Sequence, residues 1–187
     1  MSVLERLEAA TRARHRDNAA VLEAVFSLNV SLETYRWFLA RAYGFELPID
    51  LMVASIQGGF EGSVRSKSIL AAGDLVNLGL DLAAVTALPV CRDVPSSADP
   101  ATAYGWIYVA ERSTLVHPLA FRHLLTRLPK QAMFAGTYLT RHAGAVGSQW
   151  RLVGEALDRA LSTEPAFDAA VAAAEQAFAA ERSWFTS

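Results

Sequence analysis

One cysteine, Cys91, stands among 187 residues, which excludes an internal disulfide framework and makes a reducing cytoplasm the expected compartment. No uncharged apolar run reaches the roughly 18 residues of a membrane-spanning helix, and Asp74 and Asp81 interrupt the most apolar middle region. The first fifteen residues carry charges throughout and lack the apolar core of a signal peptide. There is no basic excess: 17 Lys and Arg against 19 Asp and Glu give a net charge of −2, which argues against nucleic acid as partner. None of the four histidines has an acid three or four positions away, so the Glu-x-x-His pairs of di-iron bundles and the His-Glu-x-x-His motif of zinc hydrolases are both missing. The glycines form no phosphate-binding loop, and there is no repeat or low-complexity linker.

What is there is apolar and helically spaced. Hydrophobic residues make up 52% of the chain, enough to bury a substantial core and to exclude disorder. A stripe of Leu4, Leu7, Thr11, His15, Asn18, Leu22 and Val25 steps by three or four and predicts a first helix from about Val3 to Ser27. Ser31, with Glu33 in the first turn, predicts a second helix that carries Tyr35, Phe38, Leu39, Ala42 and Phe45 and bends at Pro48. A third segment is expected over 64–78. The stretch 86-TALPVCRDVPSSADP-100 reads as a loop. Asp99-Pro100 then starts a helix, with Asp as cap and Pro at the first position, running to about Leu128. Pro129 restarts a helix to about His142, Ser148 is expected to cap another, and Thr163-Glu164-Pro165 starts an alanine-rich last one ending near Trp184-Phe185. The expectation is one all-α domain of seven or eight helices spanning 1–187.

Two histidines fall on inward-facing stripes. His15 lies between Thr11 and Asn18, three polar residues on an otherwise apolar line, so they either hydrogen-bond to neighbouring helices or line a pocket. His117 shares a face with Ile107, Ala110, Thr114, Phe121 and Leu124, and Pro118 after it cannot donate to the Thr114 carbonyl, which predicts a bend. Arg112 and Val116 lie on a second line with Gly105 and Val109. Arg112 there needs solvent or an anion. His123 and His142, near helix ends among arginines, read as surface residues. Cys91 has no local activating pattern. The alanine face of the last helix suits close packing inside the domain or against a second copy of the chain.

These motifs resemble the heme oxygenases, specifically the bacterial branch associated with bacteriophytochromes, over nearly the whole chain. The stretch 7-LEAATRARH-15 looks like that family's Leu-x-x-Ala-Thr-x-x-x-His, and 105-GWIYVAERSTLVHP-118 looks like its distal Gly-Trp-x-Tyr-Val-x-Glu-Gly-Ser-x-Leu-Gly-Gly. The stretch 141-RHAGAVGSQWRLVGEAL-157 and the closing Glu181-Arg182-Ser183-Trp184-Phe185 are similar in pattern. The resemblance implies a heme-oxygenase-like all-α fold, heme clamped between two helices, His15 as proximal iron ligand, and cleavage of heme to biliverdin, carbon monoxide and iron with a redox partner. Thr11, Arg12, Arg112, Val116, His117 and Arg151 are the other candidate heme contacts, with Arg12 and Arg151 as anion partners or solvated surface arginines.

The chain departs from the motif where it matters most. The three distal glycines are Arg112, Val116 and His117, and Ala19 stands where the family often has a glutamate after the proximal histidine. Three outcomes stay open at this level: heme bound and degraded; heme held between His15 and His117, with no open iron position, for sensing, transport or electron transfer; or a filled pocket on a module that binds a tetrapyrrole or a protein partner.

Overall fold

The computed structural model describes residues 1–17, 22–56 and 67–187, with the side chains of 15–17 outside the description. Among the described residues there is no strand, and the fold is all-α. Helices α1 (Val3–Ala10), α2 (Arg12–Asp17) and α3 (Glu23–Phe26) occupy the span expected as one helix. Its first interruption lies at Thr11, whose hydroxyl donates to the Leu7 carbonyl at 2.7 Å and so competes with the backbone ladder. Ser2 and Glu5 form a reciprocal capping box at the start of α1. Asn18, expected on the same stripe, lies outside the described residues.

Helix α4 (Leu32–Ala54) is capped by Ser31 and passes through Pro48 without ending. Pro48 has no N–H for the Gly44 carbonyl, and the Cys91 N–H takes that carbonyl at 2.9 Å. The approach requires Gly44: a Cβ there would collide with the Pro89 carbonyl oxygen and come within 2.6 Å of Trp184. Cys91 is thereby buried in the loop, and burial raises its thiol pKa, so it stays protonated and inert.

Helices α5 (Lys67–Asn77) and α6 (Leu82–Thr86) lead into the loop, which ends at Asp99 as expected. The Asp99 carboxylate accepts from the N–H groups of Ala101 and Thr102 and starts α7 (Pro100–Ser113). A 3-10 turn (Thr114–Val116) joins α7 to α8 (His117–Arg127). Helices α9 (Pro129–Phe134) and α10 (Thr137–Thr140) replace the single helix expected there. No side chain of its own caps α10; the Asp74 carboxylate of α5 accepts its first N–H groups, from Thr137 at 3.1 Å and Tyr138 at 2.7 Å. Helix α11 (Val146–Ala160) begins two residues before the expected cap, and the Ser148 hydroxyl instead bonds back to the Ala145 carbonyl. Helix α12 (Glu164–Thr186) starts on Thr163.

One connected hydrophobic core runs from Leu7 to Phe185. Its tightest seam is α7 against α12. A Cβ at Gly105 would collide with the Ala170 carbonyl oxygen and lie 2.7 Å from the Ala173 Cβ, so the alanine face of α12 packs inside the fold. Gly105→Val is therefore expected to lower stability by about 1–3 kcal/mol or more through overpacking. Gly73→Ala, in α5 where nothing lies within 4 Å, should raise it by roughly 0.5–1 kcal/mol. Urea unfolding of both variants reads the contrast.

Candidate functional site

A cavity of about 380 Å³ opens against the broken helix α7–α8. Its lining includes Leu22 and Phe26 from the segment around α3 and Val109, Arg112, Ser113, Val116 and His117 from the broken helix. Helix α4 supplies Phe38, Ala42, Phe45 and Glu46; α10 supplies Tyr138; α12 supplies Phe178, Glu181 and Phe185. The walls are mostly aromatic and aliphatic, with a few convergent polar groups, the make-up of a small-molecule site.

The break in the distal helix has a local cause at each step. The Thr114 N–H turns to Glu111 and Arg112 and leaves the Ala110 carbonyl without its helical partner. The Ser113 hydroxyl and the Lys67 ammonium of α5 donate to that carbonyl, at 2.8 and 2.5 Å. The Thr114 hydroxyl bonds back to Glu111 at 2.6 Å. Pro118 cannot donate to the Thr114 carbonyl, and the His117 N–H does so instead, which closes the tighter 3-10 turn. The bend expected at Pro118 is present, centred just before it. No non-glycine residue has positive φ among the described residues, so Arg112, Val116 and His117 stand in glycine positions without backbone strain.

Lys67 is 1% exposed and Glu46 2%, and their charged atoms meet at 2.7 Å. Tyr138 donates its hydroxyl to the same Glu46 oxygen at 3.3 Å. One buried ion pair thus ties α4, α5, α7 and α10 together behind the cavity. His117, 4% exposed, lies against Tyr138 with ring centroids 4.9 Å apart. Burial first, then the Lys67 charge, push its pKa down to about 3, against an opposing pull from Glu111. The imidazole is neutral at physiological pH.

Arg112 lines both this cavity and a neighbouring hollow formed by Met1, Glu5, Glu8, Ala9 and Arg12. Its Nε is buried and without a hydrogen-bond partner among the described residues. Its charge lies beside the Tyr108 hydroxyl, which faces the Thr11 hydroxyl at 3.3 Å. Burial raises the Tyr108 pKa, and Thr11 and Arg112 pull it back.

The candidate residues therefore fall into groups. Arg112, Val116 and His117 line the cavity. Thr11 is fully buried in the seam between the N-terminal segment and α7, and Arg12 shares the outer hollow with two glutamates. Arg151 sits on α11 with its side chain 72% exposed, 4.0 Å from Glu155, away from the cavity. His15 lies on α2, and its side chain is outside the described residues. His123, expected at the surface, is half-buried, its Nε2 3.0 Å from the Ser27 carbonyl at the end of α3. His142 is likewise half-buried, with an unpartnered Nε2.

Sequence reasoning missed Glu46, Lys67 and Tyr138, and it named Glu181 only within the closing motif. Glu46 carried a readable signal: it follows Ala42 by four residues and so sits on the apolar face of α4. Lys67, between two serines, carried none.

Among the described residues no helix is long and apolar enough to cross a membrane, and no group of three or more His, Cys, Asp and Glu is placed to hold a bare metal ion. The heme oxygenase family model matches residues 76–187, more than half of the chain, including the whole distal helix but not His15. A solved structure, the NO- and CO-bound heme oxygenase from Neisseria meningitidis, superposes with a TM-score of 0.77 at 26% identity, covering 100% of this chain and 93% of that one. No curated protein gives a significant match to the sequence.

Proposed function

The chain belongs to the heme oxygenase family, and from that premise we propose that it binds heme in the cavity between α3 and the distal helix. The observation that carries this reading is Arg112. A buried guanidinium nitrogen without an acceptor, at the edge of an aromatic-lined cavity, is satisfied by a flat apolar ligand bearing carboxylates. The residues present fit heme in that respect. Phe26, Phe45, Phe178 and Phe185 offer apolar walls to the macrocycle, Arg112 pairs with a propionate, and the Glu46–Tyr138 end supplies polar groups at the inner wall. His15 is the proximal ligand by resemblance to the family's N-terminal motif.

In this family bound heme would be the substrate, opened to biliverdin, carbon monoxide and iron with molecular oxygen as oxidant and electrons from a donor. The residues here act on that chemistry through access. Arg112 and Val116 bring side chains into the space that the motif leaves to glycine, and a bulkier distal wall leaves less room for oxygen. That favours a member that holds heme as sensor or carrier over one that degrades it with an electron donor. The branch associated with bacteriophytochromes stays part of this reading through the motifs alone.

Hemin titration of the purified protein tests it. A saturable shift of the Soret band at one heme per chain is expected. Arg112→Ala should raise the Kd about ten- to hundredfold, the loss of one charge-assisted hydrogen bond of roughly 1.5–3 kcal/mol. No Soret shift in the unmodified protein defeats the heme reading, and bilin formation on adding a reductant defeats the preference for a holding role.

A further inference from the structure

We propose that His123 is a positioning residue of the ligand cavity: it holds the Phe26 ring where the cavity meets solvent and so sets how fast the ligand enters and leaves. This rests on the heme reading of the cavity and adds the control of exchange.

The place of Phe26 comes first. It lines the cavity, yet 39% of it is exposed. A side chain with one part in a cavity and another in solvent stands at the border of the two. Its position depends on α3, a single turn of four residues. A helix so short has little stability of its own, because one turn does not repay the cost of nucleation. Partners elsewhere in the chain hold it, and it packs on α4 and α8. Val25 anchors one side of the turn, fully buried in the core. Phe26, the next residue, lies about 100° further round the helix and needs an anchor of its own.

His123 of α8 supplies that anchor through two contacts. Its Nε2 lies 3.0 Å from the carbonyl oxygen of Ser27, the residue that ends α3. A carbonyl only accepts, so Nε2 carries the proton and donates. The same oxygen takes the Val30 N–H at 3.3 Å, so one donor is local and the other comes from almost a hundred residues on. A histidine donating to the carbonyls of a helix end is a capping contact, here made between two helices. The second contact is ring to ring: the imidazole and the Phe26 ring have centroids 5.9 Å apart and planes tilted by 58°. One side chain therefore grips both the backbone end of α3 and the ring at the cavity's border. It does so from α8, the helix whose first residue, His117, belongs to the cavity lining.

The ligand passes when Phe26 moves aside, and the fraction of chains in that state depends on what holds the ring in place. Loss of one hydrogen bond raises such a fraction about three- to tenfold.

The test loads the full chain with hemin and follows its transfer to an excess of apo-globin by absorption. His123→Ala should speed transfer about three- to tenfold. His123→Gln, whose amide nitrogen takes the position of Nε2, should recover most of that difference. Phe26→Ala should speed transfer at least as much as His123→Ala. The double variant His123→Ala/Phe26→Ala should be no faster than Phe26→Ala alone, because the histidine acts through that ring. An unchanged rate in His123→Ala, no recovery in His123→Gln, or multiplied effects in the double variant overturns the assignment while hemin uptake keeps the heme reading. No hemin uptake by the unmodified protein overturns both.

Discussion

Lys67→Met is expected to destabilise the protein by about 3–5 kcal/mol, measured as the loss of unfolding free energy in urea at neutral pH. Lys67 and Glu46 are 1% and 2% exposed, so removing the ammonium takes from a core carboxylate the cation that meets it at 2.7 Å, the Tyr138 hydroxyl still beside it. It also strips the Ala110 carbonyl of its inter-helix donor. The larger part of the effect is the charge imbalance left in the core and not the worth of the pair, because two buried ions lose much of their mutual attraction to desolvation. Lys67→Met/Glu46→Gln should therefore recover most of the loss, since the amide oxygen introduced on α4 still accepts from Tyr138. Equal destabilisation in the single and double variants would show that the pair itself, not the charge imbalance, carries the stability.

The second large effect is on acid stability. His117 has its pKa depressed to about 3 in the fold, against 6.5 for a solvated histidine, chiefly through burial and then through Lys67. Between those values the unfolded chain binds a proton that the folded one refuses. Stability is fully present above about pH 6.5 and falls as pH drops towards 3. By pH 4 the loss amounts to about 3 kcal/mol from this one group. Urea unfolding at pH 7, 5 and 4 should show the unmodified protein losing that much more than His117→Gln, which has no imidazole to protonate. Parallel pH profiles would exclude His117 as the source. The facing groups Lys67, Glu111 and His142 stay in both proteins, so the difference isolates the ring.

Helix starts were legible where a side chain close in sequence makes the bond. Ser31, Asp99 and Thr163 each accept from an N–H two or three residues on, within reach of local geometry. Breaks were less legible, because their partners come from elsewhere. Pro48 suggested a bend within α4, and the helix runs on through it with the freed Gly44 carbonyl taken by the Cys91 N–H. The start of α10 depends on Asp74, more than sixty residues earlier in the chain. The wall of the cavity followed from helical spacing, since Val109, Arg112 and Val116 share one line, whereas Glu46, Lys67 and Tyr138 meet only in three dimensions.

By itself, then, the sequence determined the all-α class, the inward face of the distal helix, the bend near Pro118 and the side chains that stand in its glycine positions. Periodicity and proline chemistry act over a few residues and need no fold to be read. Only the tertiary structure decided which polar groups are buried, which ones meet, and what each meeting does to charge. It separated Arg112 from Arg151, and it placed a neutral histidine in the cavity wall beside a buried lysine. Desolvation depends on everything packed around a group, and that is a property no single stretch of chain contains.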